Sequence, residues 1–172
     1  MGFNIVAIDT SMDGFHLPKS ELDKFPDPKL AHSRRGAHWT FDGNEFVKFV
    51  KSLAQPNLLP IYAPSFDHAL GDPKINGILV PPSAKLILVE GLYTLLTGIA
   101  PWSELGLIWN ERWLIKPVDN NVQMARLANR HVSSGLEKDL SSAYSRILAN
   151  DSHNEKVVLD NLPDKLDVII LN

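Results

Sequence analysis

The residues best suited to chemistry stand in short polar clusters, most of them following an apolar run. Met12-Asp13-Gly14-Phe15-His16-Leu17 is the first. A carboxylate at a strand's end, followed by glycine, can project into a cleft. There it can accept a proton from a hydroxyl or hold a metal ion through water. Asp-Gly is also a frequent turn pair, and this cluster taken alone reads as a turn. Residues 33–42 (SRRGAHWTFD) place Arg34 and Arg35 beside a glycine. That suits anion binding, because guanidinium forks match carboxylate or phosphate. The alternative is a solvated basic turn ahead of a capped helix.

Residues 62–73 (YAPSFDHALGDP) gather Tyr62, Phe66, Asp67 and His68 in a segment read as a proline-bounded loop. Such a loop can stack on and hydrogen-bond a small polar ligand. It can equally be a structured loop whose Asp and His bond the backbone. Asp13, His16, Asp67 and His68 together also admit an Asp/His metal hydrolase. Glu90 closes the most hydrophobic run, where a carboxylate can hold Mg²⁺ or its water near phosphates. A buried strand end is a costly place for an unpaired Glu, so a partner is expected. Arg126 and Arg130 are four apart and share a helix face, where they repel unless an anion or a carboxylate lies between them. Ion pairing with acids elsewhere is the alternative. Residues 150–154 (NDSHN) read as a polar helix end and loop.

Four apolar runs are expected to be strands: residues 4–8, 85–89, 112–115 and 166–171, with 78–80 a minor extra one. The 85–89 run (KLILV) is continuously apolar, as in a strand buried on both faces. Three segments have helical spacing. Residues 44–54 carry Phe46, Phe49, Val50 and Leu53 on one stripe, with Asp42 and Glu45 spaced as a capping box. Residues 120–133 follow Asp119 as N-cap and end near Gly135. Residues 140–149 put Leu140, Ala143, Tyr144, Ile147 and Leu148 on one side. Alternating strands and helices predict an α/β fold with a mostly parallel sheet, its chemistry beyond the carboxyl ends of the strands.

Composition narrows the classes. With 172 residues, one domain is expected, and 44% hydrophobic with 22% charged residues is globular, not disordered. A net charge of −3 argues against a nucleic-acid partner. The chain has no cysteine, which removes disulfides, thiolate zinc sites and cysteine nucleophiles. No apolar run has membrane-span length, so no membrane partner is expected. The opening MGFNIVAID lacks a basic flank or cleavage site, and a cytoplasmic location is the default.

Taken together, DGFHL (13–17), RRGAHWTFD (34–42), PSFDHALGDP (64–73), VEGLYTLL (89–96), ARLANRHVSSGL (125–136) and NDSHN (150–154) resemble the P-loop kinases of the uridine kinase, phosphoribulokinase and pantothenate kinase family. The match is to the uridine kinase-like branch and covers nearly the whole chain. The resemblance implies ATP-dependent phosphoryl transfer to a hydroxyl of a small metabolite of the nucleoside, sugar or sugar-acid type. Asp13 would be the base that takes the hydroxyl proton. Glu90 would support Mg²⁺, directly or through water. Arg126 and Arg130 would neutralise the transferring group. Arg35, Phe66 and His68 would line the acceptor pocket, with His16 and Tyr62 in the same substrate-binding set. Asn150 and Asp151 would sit in a loop near the adenine.

The family opens on a strand, a GxxxxGK[ST] phosphate loop and a helix, whereas no Gly-Lys dipeptide occurs in this sequence. A P-loop kinase-like domain without its central strand, phosphate loop and first helix is therefore expected. The edges of the 85–89 and 112–115 strands would be left unpaired, and activity by this chain alone would be low. The alternative is a degenerate, non-catalytic kinase that binds or regulates. Leu92, Asn110 and Lys116 are smaller departures from the family's pattern.

Overall fold

The computed structural model describes residues 7–56 and 58–172, and it divides into two compact units, Met1–Ile108 and Trp109–Asn172. Residues 4–6 of the first expected strand lie outside the described residues.

In the first unit, β1 (Ala7–Ser11) pairs in parallel with β4 (Leu86–Glu90), with Ser11 opposite Glu90. Between them run the short helices α1 (Lys19–Leu22) and α2 (Pro28–Ser33), the longer α3 (Gly43–Leu53), and a hairpin. The hairpin is the largest departure from expectation. Residues 62–73 are not a loop: β2 (Ile61–Asp67) and β3 (Asp72–Val80) form an antiparallel pair, with a register shift between Ala63 and Ser65. Pro64 masks the strand in the sequence because proline cannot donate to a ladder. The bulge beside it accommodates that missing donor.

The core of this unit is aromatic. Phe46, Tyr93 and Trp102 are buried, and Phe46 and Tyr93 each lie within 6 Å of Trp102, at 5.6 and 5.7 Å between centroids. α3 buries Phe46, Phe49 and Val50, as its stripe predicts, and Val47 besides, whereas Leu53 is only half-buried. Asp42 caps it by accepting a hydrogen bond from the Glu45 N–H at 2.9 Å. The Glu45 carboxylate pairs with Lys48 instead of closing a capping box.

In the second unit, β5 (Trp113–Lys116) pairs in parallel with β6 (Val168–Leu171). α4 (Asn120–Ser133) starts on Asp119, whose carboxylate accepts from the Asn121 N–H at 2.7 Å. α5 (Leu140–Arg146) passes through a π-turn, Ile147–Asp151, into α6 (Ser152–Asp160). The polar 150–154 segment is therefore helical and not a loop. No Gly or Pro stands between residues 140 and 160 to stop the helix. Only Ala143 and Ile147 of the expected α5 stripe are buried, against Ala128 of α4, while Leu140, Tyr144 and Leu148 stay exposed.

Among the described residues, β4 has β1 as its one strand partner and β5 has β6. The expectation of burial on both faces fails for β4: Leu86 and Leu88 are 46% and 47% exposed. A two-stranded sheet offers each side chain one cross-strand neighbour on its face, too little to cover it. No described helix is long and apolar enough to cross a membrane.

Candidate active site

The residues that sequence suggested for the acceptor side all fall in the first unit, and all but Tyr62 gather around the turn that ends β1. Ser11 begins this turn by accepting a hydrogen bond from the Asp13 N–H at 3.1 Å, and residues Met12–Phe15 form one 3-10 turn. Two close approaches fix its place. A Cβ on Gly14 would stand 2.2 Å from the Pro64 carbonyl oxygen of β2, and one on Gly91 would stand 2.4 Å from Met12 Cβ. Gly14 needs glycine because the β2 backbone runs where a side chain would go, and Gly91 because the Met12 side chain fills that place. The second contact lays the Glu90-Gly91 end of β4 directly beside Met12-Asp13.

Asp13 is half-buried, and its carboxylate has no hydrogen-bond partner among the described residues. Its carbonyl is fully used: it accepts from the His16 N–H at 3.1 Å and pairs with His16 Nδ1 at 2.8 Å. A carbonyl oxygen only accepts, so Nδ1 carries the proton and Nε2 of the neutral ring keeps its lone pair. The His16 ring packs 3.9 Å from Phe41 and 4.9 Å from Phe66 between centroids. Main-chain bonds from Leu17 N–H to the Thr40 carbonyl (2.9 Å) and from Asp42 N–H to the Phe15 carbonyl (2.8 Å) hold the two segments together.

Glu90 is exposed and has no ion pair among the described residues. The expectation of a partner is corrected here: the strand end opens to solvent, so the carboxylate stays hydrated.

Arg35 is engaged in hydrogen bonds on several sides. Its Nη1 donates to the Gly71 carbonyl, and its Nη2 donates to the Leu17 carbonyl at 2.9 Å and to Asp72 Oδ1 at 2.7 Å. Its guanidinium stands 5.7 Å from the Phe66 ring centroid. Asp72 Oδ1 also accepts from the Lys19 N–H at 3.0 Å, and Lys19 Nζ donates to the Leu70 carbonyl at 2.6 Å. Desolvation pushes the Asp72 carboxyl up. The hydrogen bonds from Arg35 and Lys19, with their charges, outweigh it and hold the carboxyl below its usual range. Arg35 thus ties the hairpin turn to the segment after the DGFH turn, in place of presenting a free fork.

Phe66 and His68 meet edge to face at 5.2 Å, so both join the cluster, with His68 at its exposed rim. Tyr62 does not: it pairs with Leu79, about 13 Å along β2 from Phe66 at strand rise. The Asp67 carboxylate is taken by the Ala69 and Leu70 N–H groups. No group of three metal-ligating side chains occurs among the described residues, which leaves the hydrolase reading without a centre. Sequence reading missed Phe41 and Asp72. Each stood inside a quoted motif, but only the pairing of distant segments reveals what it touches.

In the second unit, Arg126 and Arg130 lie on an exposed part of α4, and neither makes an ion pair among the described residues. Asn150 is buried in the π-turn, and Asp151 Oδ2 lies 3.7 Å from Nε2 of the buried His131.

Three histidines share a sign. Burial pulls His16 below its usual 6.5, helped by Arg35 and opposed by its bond to the Asp13 carbonyl and by the Asp13 and Asp72 charges. Burial alone lowers His38. Burial lowers His131, with Arg146 and Arg130 adding to it and Asp151 and Glu137 opposing. The folded chain therefore binds fewer protons than the unfolded one in the histidine range. The stability these groups contribute is full above pH about 6.5 and is lost as pH falls through their lowered values. Urea midpoints measured from pH 7 down to 5 should fall; a flat or rising series contradicts this.

No family model matches the chain. It is 41% identical over 159 residues to the ATP-dependent kinase-like protein notR′ of Aspergillus versicolor, covering 88% of this chain and 90% of that one. It is 40% identical over 161 residues to a candidate uridine kinase of Schizosaccharomyces pombe, covering 94% and 67%. The crystal structure of YFH7 from Saccharomyces cerevisiae, described as a candidate P-loop kinase with a circular permutation, superposes with a TM-score of 0.88 at 28% identity. That match covers 98% of this chain and 59% of YFH7, so the chain spans less than two thirds of that protein. With the ordered motifs, the parallel strand pairs and these relatives in agreement, the chain belongs to the uridine kinase-like family of P-loop kinases.

Proposed function

We propose that this chain serves ATP-dependent phosphoryl transfer to a hydroxyl of a small metabolite. The observation that carries the proposal is Asp13: a carboxylate with no hydrogen-bond partner among the described residues, at the carboxyl end of a parallel strand pair. There it accepts the proton of the acceptor hydroxyl as that oxygen attacks phosphorus. His16 fixes the Asp13 backbone through two bonds to its carbonyl, so the carboxylate is held in place before substrate arrives.

Glu90 fits a magnesium site of the water-mediated kind, being an exposed carboxylate with no competing ion pair among the described residues. Mg²⁺, when bound, neutralises charge on the phosphate oxygens. Arg126 and Arg130, exposed on α4, suit the charge-neutralising role that the resemblance implies for them. Of the pair that the resemblance assigns to the adenine side, Asn150 is buried and the Asp151 side chain is partly exposed.

The relatives named ATP-dependent kinase and candidate uridine kinase support this reading. A specific observation favours a second one: with no Gly-Lys dipeptide among its 172 residues, this chain lacks GxxxxGK[ST] and the lysine that grips phosphate. By itself it should turn over slowly or serve as a kinase-fold binding protein. Incubation with ATP, Mg²⁺ and a panel of nucleosides, sugars and sugar acids, followed by ADP release and product phosphate, tests this. Slow acceptor-dependent ADP release supports transfer. Acceptor binding with no ADP release selects the second reading, and brisk turnover refutes the need for a phosphate loop.

A further inference from the structure

We infer that Asn76-Gly77, on the outer strand of the hairpin, is a site of spontaneous covalent modification. Asn76 deamidates there through a cyclic imide, and the product alters the support of the turn that carries Asp13. The inference stands apart from the phosphotransfer reading.

The fold asks for both residue types. Asn76 is the one non-glycine residue with a positive φ among the described residues, at 55°. That left-handed region suits glycine and, among the other residues, asparagine and aspartate. At position 77 a Cβ would stand 2.8 Å from the Ser65 main-chain nitrogen, and nearer still to Ser65 Cβ and Oγ. Only glycine fits against β2 at that point. Glycine after asparagine is also the neighbour that least hinders ring closure, because it has no side chain to block the approach of its nitrogen.

The local backbone favours the reaction. Ile78 pairs with Ala63 and Lys74 with Ser65, so residues 75–77 stand against Pro64 alone, outside the ladder register. A paired strand fixes the torsions that ring closure must change, and a bulge releases them. Asn76 and Gly77 are exposed, and the Asn76 side chain makes no hydrogen bond among the described residues. The chain has two other pairs of this kind, Asp13-Gly14 and Asp42-Gly43, and both are held. Gly14 is pressed on the Pro64 carbonyl, and the Asp42 carboxylate accepts from the Glu45 N–H.

The step needs water alone. The Gly77 nitrogen gives up its proton and attacks Asn76 Cγ. The Cγ–Nδ2 bond breaks and ammonia leaves. Water then opens the imide at either carbonyl, giving aspartate or isoaspartate at position 76. Either product adds a negative charge. Isoaspartate also adds a methylene to the main chain. That insertion falls opposite Pro64, whose carbonyl backs Gly14 on the other side. The turn carrying Asp13 therefore loses part of its support.

The test is ageing of the purified 172-residue chain in warm, mildly alkaline buffer, followed by peptide mapping with mass spectrometry. A free peptide of residues 74–80 is the reference. Conversion at position 76 should run within roughly tenfold of the free peptide, as for a segment that needs no global opening. The converted chain should melt at a lower temperature than the fresh one. Asn76→Gly keeps the positive φ and removes the reacting amide, so it should neither convert at that position nor lose melting temperature on ageing. If that variant does not fold, the parent chain and the peptide decide the matter by themselves. Slower conversion than this overturns the inference, because the strand then holds Asn76. So does faster conversion at another asparagine, or a converted chain that melts like the fresh one.

Discussion

Replacing Asp13 with Asn should lower phosphotransfer by about 10²–10⁴-fold, the range typical of a lost general base. The reason is local. The Asp13 side chain makes no hydrogen bond among the described residues, while its main chain makes all the bonds that hold the turn: N–H to Ser11 Oγ, and carbonyl to His16. Asn keeps the shape and the backbone bonds but cannot take a proton. Stability should therefore change by no more than about 0.5 kcal/mol, as for a substitution that breaks no packed or bonded contact. Coupled ADP release gives the rate, and a thermal melt of the same variant gives the stability. Parallel loss of both would reassign Asp13 to holding the turn.

Arg35→Ala should do the opposite, costing about 3 kcal/mol of stability before any question of substrate arises. The Arg35 side chain is 14% exposed, and it bridges carbonyls at 17 and 71 as well as the Asp72 carboxylate. Removing it strands those acceptors and leaves Asp72 without its guanidinium. Unpaired groups of this kind are the expensive ones. For a chain of this length that loss should lower Tm by about 6–12 °C. Arg35→Lys should recover little, because an ammonium cannot reach three acceptors in a planar fork. A melt of Arg35→Ala within about 1 °C of the parent would mean that the hairpin turn is held by other contacts. The acceptor cluster should loosen with the hairpin, since Phe66 and His68 ride on β2 and its turn.

The two variants separate a residue that acts on substrate from one that positions the residues that do. Both come from motifs of similar appearance, a short charged cluster beside a glycine. The difference lies in what each side chain meets: no hydrogen-bond partner among the described residues for Asp13, three oxygens for Arg35.

Much of this was legible in the sequence. Continuous apolar runs marked β4, β5 and β6 to within two residues, because a strand paired on its long axis selects apolar side chains locally. Asp42 and Asp119 marked the starts of α3 and α4, because an N-cap bonds to N–H groups two and three residues on. The order of the polar clusters identified the kinase family. Of the β2–β3 hairpin the sequence revealed only the 78–80 end of β3, since Pro64 and Pro73 suppress a strand signal that only pairing restores. Nor did it reveal the continuation of α5 through Asn150 and Asp151, where polar residues imitate a helix end.

What the sequence by itself determined, then, was the inventory: which side chains could accept a proton, carry a phosphate or cap a helix. These follow from residue type and from contacts within a few residues. Only the tertiary structure decided which groups were already committed. Arg35 is spent on Leu17, Gly71 and Asp72, the Phe41 and Phe66 faces are spent on His16, and Glu90 is left exposed. Those outcomes depend on which distant segments come together, and a free donor and a satisfied one look the same along the chain.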